Sequence, residues 1–114
     1  MEQHSDMLVS FIVPTLDRPV ELGCFLQSTF VQTRHDFEVL VLDQGNERVQ
    51  DIALMYPRVK YFHSERKGLA VNRNLGIRQA HGELLVFADD DCVLPDDYVE
   101  KLSRHLPQLS DRLL

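Results

Sequence analysis

Apolar and polar positions along this chain switch repeatedly between a period of two and a period near 3.6, and the switches mark its elements. Leu8-Val-Ser-Phe-Ile-Val13 predicts a first strand, stopped by Pro14. Asp17-Arg18-Pro19 reads as a helix start, with Asp17 as capping acid and a proline for the first turn. Leu22, Phe25, Leu26 and Phe30 then recur at helical spacing as far as Val31. Phe37-Glu-Val-Leu-Val-Leu42 is a second strand, apolar on both faces after its first residues, as a parallel strand between helix layers must be. It ends in Asp43-Gln-Gly-Asn46. Asn46 is placed to cap a short helix whose Val49, Ile52, Ala53 and Tyr56 share one face, and Pro57 closes it. Val59-Lys-Tyr-Phe62 predicts a third strand. Gly68 opens a helix from Leu69 to Ala80, with Gly82 as its stop, and Glu83 to Ala88 is a fourth strand. Pro95 begins a last helix, with Asp96 and Asp97 in its first turn and a buried stripe of Val99, Leu102 and Leu106. The segment from Pro107 to Leu114 predicts no element.

Strand and helix alternate throughout, which implies βαβ units in one α/β domain: a mostly parallel open sheet of about four strands with helices on both faces. In such a sheet every strand's C-terminal end lies on one rim, and ligands bind where the strand order reverses. Thr15 and Asp17 follow strand one, Asp43 ends strand two, Ser64 to Gly68 follow strand three, and Asp89-Asp90-Asp91 ends strand four. Four separate segments thus send polar groups to the same edge.

The acid triplet is the sharpest chemical signal. Two carboxylates about 4 Å apart repel by roughly 4 kcal/mol at an effective dielectric near 20. The cluster must therefore be solvated, spread apart or neutralised by a cation. Hard oxygens suit Mg²⁺ or Mn²⁺, which pair one or two carboxylates with substrate phosphates. In extended backbone Asp89 and Asp91 would lie on one side, about 7 Å apart. One would then meet a metal and the other a ribose or a metal-bound water. Arg66, Lys67 and Arg73 are candidates to balance phosphate charge. The turn after strand one, Pro14-Thr-Leu-Asp-Arg-Pro19, contains no glycine, so dinucleotide-oxidoreductase and P-loop readings lose support.

Composition narrows the partners. A net charge of −6 with no basic arm argues against general binding to nucleic acid or anionic membranes. No apolar run approaches a membrane span, and the N-terminus lacks the regions of a signal peptide. Cys24 and Cys92 show no paired spacing, which implies free thiols and a cytoplasmic setting. The five histidines show no metal-ligand spacing.

Five stretches bring a family into view: Ser10-Phe-Ile-Val-Pro-Thr15, Leu26-Gln-Ser-Thr-Phe-Val-Gln32, Val41-Leu-Asp-Gln-Gly45, Gly68-Leu-Ala-Val-Asn-Arg-Asn-Leu-Gly76 and Phe87-Ala-Asp-Asp-Asp91. Their order and spacing resemble the N-terminal half of family-2 glycosyltransferases, GT-A fold enzymes that use nucleotide sugars. The resemblance implies a truncated GT-A fold in which residues 1–114 are the donor half and the acceptor half is absent. It implies that Pro14, Thr15 and Asp43 contact the nucleoside and that Arg73 lies near the base or phosphates. Asp89 would be near the ribose and Asp91 on the metal. Asp17, Lys67 and Asp90 complete the expected nucleotide-sugar site, with Asp89 as a second metal ligand. The expected partners are Mn²⁺ or Mg²⁺, a nucleoside-diphosphate sugar with a UDP-sugar favoured, and an unknown acceptor. Where the family usually has Asp-Asp-Gly-Ser, this chain has Asp43-Gln44-Gly45-Asn46, so base recognition is expected to differ. The general base of inverting members would lie in the later half, so the chain alone is expected not to transfer sugar.

Two other classes fit parts of the pattern. A receiver domain shares the length, the alternation and an acidic Mg²⁺ site, but places its acid pair after strand one and needs a lysine after strand five. A non-catalytic interaction module would use the open edge of strand four, an invitation to self-association.

Overall fold

The computed structural model describes residues 7–45, 49–64 and 69–113, with backbone alone for residue 69 and residues 106–113. Four parallel strands stand in the order β3-β2-β1-β4: β1 (Val9–Thr15), β2 (Phe37–Asp43), β3 (Val59–His63) and β4 (Leu84–Phe87). Four helices connect or follow them: α1 (Pro19–Phe30), α2 (Gln50–Ala53), α3 (Leu69–Gln79) and α4 (Tyr98–Leu113). The predicted α/β architecture is therefore present in three layers.

Strand pleating decides which side chain meets which layer. Val9, Phe11 and Val13 of β1, with Phe37, Val39 and Val41 of β2, face α1, α2 and α4 and join Leu22, Phe25, Leu26, Val49, Ala53 and Val99 in one buried cluster. Phe11 sits at its centre, edge-on to Phe25 at 6.2 Å and to Phe37 at 5.8 Å between ring centroids. The opposite face of β1 carries Ser10 and Ile12, and α3 covers it. There Gly76 lets the helix approach: a Cβ on it would stand 2.6 Å from Ile12 Cγ2.

Four local expectations change. Pro14 does not stop β1; it lies within it, opposite Leu42. Even-numbered β1 residues bond towards β4, whose pairing ends at Ile12 with Ala88 N–H donating to the Ile12 carbonyl at 3.0 Å. The missing N–H of Pro14 therefore faces past the end of the ladder, where nothing needs it. Asp17 does not cap α1. Arg18 holds the N-cap position with no side-chain cap bond, and Asp17 has φ 52°. That left-handed turn, which aspartate tolerates better than most residues, carries Asp17 against Gly45 instead of the helix N–H groups. The last helix, α4, starts at Tyr98, after Asp96 and Asp97, and runs through Pro107 to Leu113. A proline inside a helix removes one bond and can kink the axis without ending it. The N-cap of α2 is likewise not Asn46, which lies outside the described residues, but Val49, with no side-chain cap bond.

The α3–β4 turn is held without slack. A Cβ on Gly82 would stand 2.6 Å from Ser10 N and 2.7 Å from Val9 C, both backbone of the central strand. Gly82→Ala is expected to cost about 1–3 kcal/mol, since neither atom can move aside. Equilibrium urea unfolding measures this; an unchanged midpoint would mean that the turn relaxes freely.

Candidate functional site at the β1–β4 strand ends

β1 is the strand at which the order reverses: β2 and β3 follow on one side and β4 lies on the other. The C-terminal ends of β1 and β4 therefore flank the switch point, where open α/β sheets bind ligands. Two clefts open there on either side of Pro14. One, of about 190 Å³, is lined by Pro14, Thr15, Leu16, Arg18, Gln44 and Asp90. The other, of about 160 Å³, is lined by Pro14, Arg73, Phe87, Ala88 and Asp89. A larger groove of about 670 Å³ lies elsewhere, between α1 and α2, among Pro19, Val20, Cys24, Ile52, Tyr56 and Val93. No charged side chain among the described residues lines it, and it shares none of the residues of the two rim clefts, so size is a poor guide here.

The acid triplet is split by its backbone. Asp89 and Asp91 do not continue as an extended pair, because the Cys92 N–H donates to the Asp89 carbonyl at 3.1 Å and turns the chain. Asp90 points inward and is buried; its Oδ2 accepts the Thr15 hydroxyl at 2.9 Å. That bond ties the end of β1 to the loop after β4. Asp89 and Asp91 remain exposed. Arg18 approaches from the α1 start, with Nε 3.5 Å from Asp90 Oδ1 and Nη2 3.3 Å from Asp91 Oδ2. Sequence pattern treated Arg18 only as part of a helix start. Its position one residue after Asp17, in the same rim loop as Thr15, was the available signal.

Asp43, expected to face a nucleoside, has no exposed surface. Its Oδ1 accepts the Gly45 N–H at 2.9 Å, and its Oδ2 accepts Tyr61 O–H at 2.6 Å and Val49 N–H at 3.3 Å. The carboxylate therefore shapes the β2–α2 loop from beneath. Asp17 packs against that loop, its backbone N 2.8 Å from where a Gly45 Cβ would be. Gln44, which lines the larger rim cleft, donates its N–H to the Thr15 carbonyl at 3.0 Å.

Arg73 reaches the rim from α3 and lies over the Phe87 ring, 5.5 Å from its centroid. Neighbouring Asn72 is fully buried, and neither amide atom has a hydrogen-bond partner among the described residues. Lys67 and Arg66 lie outside the described residues. The structure thus brings together Pro14, Thr15, Asp89, Asp90 and Arg73 with Asp91, while Asp43 is buried beneath them and Asp17 is exposed beside Gly45.

No group of three or more His, Cys, Asp or Glu side chains among the described residues forms a ready metal cage. The donor set still fits a hard divalent ion held jointly with a diphosphate, since such ions take only one or two protein carboxylates and complete their shell from phosphates and water.

A four-stranded parallel sheet reversing at β1, with acids at the switch point, is an open α/β fold of the kind that places ligands at the strand ends. Comparison with known proteins identifies the family. Residues 10–111 match the model of glycosyl transferase family 2, and the chain belongs to that family. It is 33% identical over 99 residues to an uncharacterized glycosyltransferase of Rickettsia felis, covering 83% of this chain and 16% of that protein. It is 36% identical over 90 residues to the GalNAc(5)-diNAcBac-PP-undecaprenol beta-1,3-glucosyltransferase of Campylobacter jejuni, covering 73% and 29% respectively. The crystal structure of S. aureus TarS superposes with a TM-score of 0.82 at 25% identity, over 90% of this chain and 20% of TarS. TarS residues 1–349 have also been solved with UDP and with UDP-GlcNAc. These relatives are several times longer than this chain. Family membership removes the receiver-domain alternative. Among the described residues no helix is long and apolar enough to cross a membrane.

Proposed function

We propose that the β1–β4 rim is the donor site of a glycosyltransferase and binds a nucleoside-diphosphate sugar, a UDP-sugar in preference to others. The observation that carries this reading is the Thr15–Asp90 hydrogen bond, which joins the two strand ends at the switch point and sets exposed Asp89 and Asp91 beside two clefts. Solved TarS complexes with UDP and UDP-GlcNAc, on the same fold, support it.

In this reading Pro14, Thr15 and Gln44 wall the nucleoside. Asp43 and Asp17 set the loop that presents Gln44 instead of touching the ligand. Asp89 meets the ribose side, Asp91 with Asp89 holds Mn²⁺ or Mg²⁺, and Arg73 with Lys67 balances the diphosphate. Asp90 fixes the loop. When bound, the divalent ion would stabilise charge on the departing diphosphate. Transfer also needs an acceptor site and a group to take the acceptor's proton. Neither is assigned to this chain, which we read as the donor half of the catalytic unit, working in the cytoplasm. Both cysteines are free thiols, in keeping with that setting.

Calorimetry tests the reading. The chain is expected to bind UDP with Mn²⁺ or Mg²⁺ and much more weakly without, and to show no sugar transfer by itself. A folded chain that binds no nucleoside diphosphate under any metal condition would contradict it. The outer edge of β4 carries no strand among the described residues. Self-association there is expected to appear in light scattering as a concentration-dependent mass, and a clean monomer at high concentration would dismiss it.

A further inference from the structure

A cation already sits on the acid triplet, and it belongs to the chain. The Arg18 guanidinium spans two consecutive carboxylates, 3.5 Å from Asp90 Oδ1 and 3.3 Å from Asp91 Oδ2. The two ends of this bridge differ. The Asp90 side chain is only 8% exposed, and its other oxygen is committed to Thr15. Asp91 is 55% exposed and Arg18 43%, so the outer contact is long, wet and weak. It is also the contact to an acid assigned above to a metal.

Arg18 is free to exchange that contact. Its backbone is fixed as the N-cap residue before Pro19, while its side chain plays no part in capping. It lines the same cleft as Pro14, Thr15 and Gln44, where the nucleotide is placed. A guanidinium suits phosphate oxygens as well as carboxylates, since its fork of donors matches both.

We infer that Arg18 is an exchangeable counter-cation: it neutralises Asp90 and Asp91 in the empty rim and passes from Asp91 to the diphosphate when nucleotide and divalent ion enter together. The inference rests on the donor-site reading. A divalent ion arriving alone must displace the guanidinium from Asp91, leaving it Asp90 and water with no new contact in exchange, so it binds less well. With nucleotide present the displaced guanidinium gains a phosphate, so each ligand strengthens the other. Such coupling is reciprocal by thermodynamic necessity. A bystander surface ion pair would not couple the two ligands.

The test uses the full 114-residue chain and its Arg18→Gln variant, with thermal melting to establish that both fold. Free Mn²⁺ is followed by electron paramagnetic resonance, and UDP binding by calorimetry in saturating Mn²⁺. Arg18→Gln is expected to bind Mn²⁺ alone about 3- to 5-fold more tightly, the loss of one exposed ion-pair competitor. It is expected to bind UDP with Mn²⁺ roughly tenfold more weakly, the loss of one charge-assisted phosphate contact. In the wild type, the Arg18 side-chain ¹⁵Nε–H resonance is expected to shift when UDP and diamagnetic Mg²⁺ are added together and to stay nearly still with either alone. A resonance unmoved by the pair, or a variant in which both affinities move the same way or not at all, overturns the exchange while leaving the donor site standing. A wild-type chain that binds no UDP overturns both.

Discussion

Glu38→Ala is expected to lower the unfolding free energy at neutral pH by about 2–4 kcal/mol, as removal of one partner from a buried charged network usually does. Glu38 lies on β2 with 1% of its side chain exposed. Its Oε2 accepts Ser10 O–H and the His81 N–H, both at 2.6 Å, and Lys60 Nζ is 2.9 Å from Oε1. That last contact is an ion pair off the line of a good hydrogen bond, so Oε1 is held by charge more than by direction. The network joins β1, β2, β3 and the turn that feeds β4, where Gly82 N–H also donates to Ser10 Oγ at 2.7 Å. Lys60 is 45% exposed and can return to water, which keeps the loss below the largest values seen for buried pairs.

Acid should reveal the same network. Burial, the largest single influence on Glu38, pushes its pKa up. Hydrogen bonds from Ser10 and the His81 N–H, with the close ammonium of Lys60, together outweigh it and hold the group below its usual value of 4.5. A carboxylate held lower in the folded than in the unfolded state stabilises the fold above its unfolded pKa. That stabilisation fades as pH falls from about 4.5 through the folded value. Urea unfolding of wild type and Glu38→Ala is therefore expected to show a wide gap at pH 7 that narrows below about pH 4.5. A gap constant with pH would place the effect in packing alone.

The second large effect falls on binding. Asp89→Asn with Asp91→Asn is expected to reduce metal-dependent UDP affinity by tenfold or more, since even residues that only orient metal ligands cost about 10- to 100-fold. Thermal stability should hardly move, because exposed substitutions usually stay within about 0.5 kcal/mol. Asp90→Asn is the contrasting variant. Its carboxylate is buried and bonded to Thr15, so the change should cost stability as well as binding. Calorimetry paired with melting separates the two patterns. Equal destabilisation by all three substitutions would mean that the triplet is a structural cap and no ligand site.

Local pattern carried most of the fold. The four strands and four helices appear in the expected order, and Leu22, Phe25 and Leu26 face the core as their spacing implied. Several of the features that local pattern missed depend on a neighbour distant in sequence. Pro14 belongs to β1 because the β4 ladder stops two residues earlier. Glu38 is buried inside an apolar strand because Ser10, Lys60 and His81 meet it from three other segments. Asp43 turns inward because Tyr61 stands one strand away. The contact of Arg18 with Asp91 spans 73 positions, beyond the reach of any local period. The rim position of the acids was legible, whereas the division of labour within the triplet required the turn at Asp89–Cys92.

Backbone amide chemical-shift mapping with UDP and Mg²⁺ addresses the donor site most directly. Perturbations should concentrate at the ends of β1 and β4, on Thr15 to Arg18, Gln44, Gly45, Arg73 and Ala88 to Asp91, and Mn²⁺ in place of Mg²⁺ should broaden Asp89 and Asp91 first. Shifts confined to the apolar groove between α1 and α2, or spread without focus over the chain, would mean that the nucleotide does not bind at the switch point.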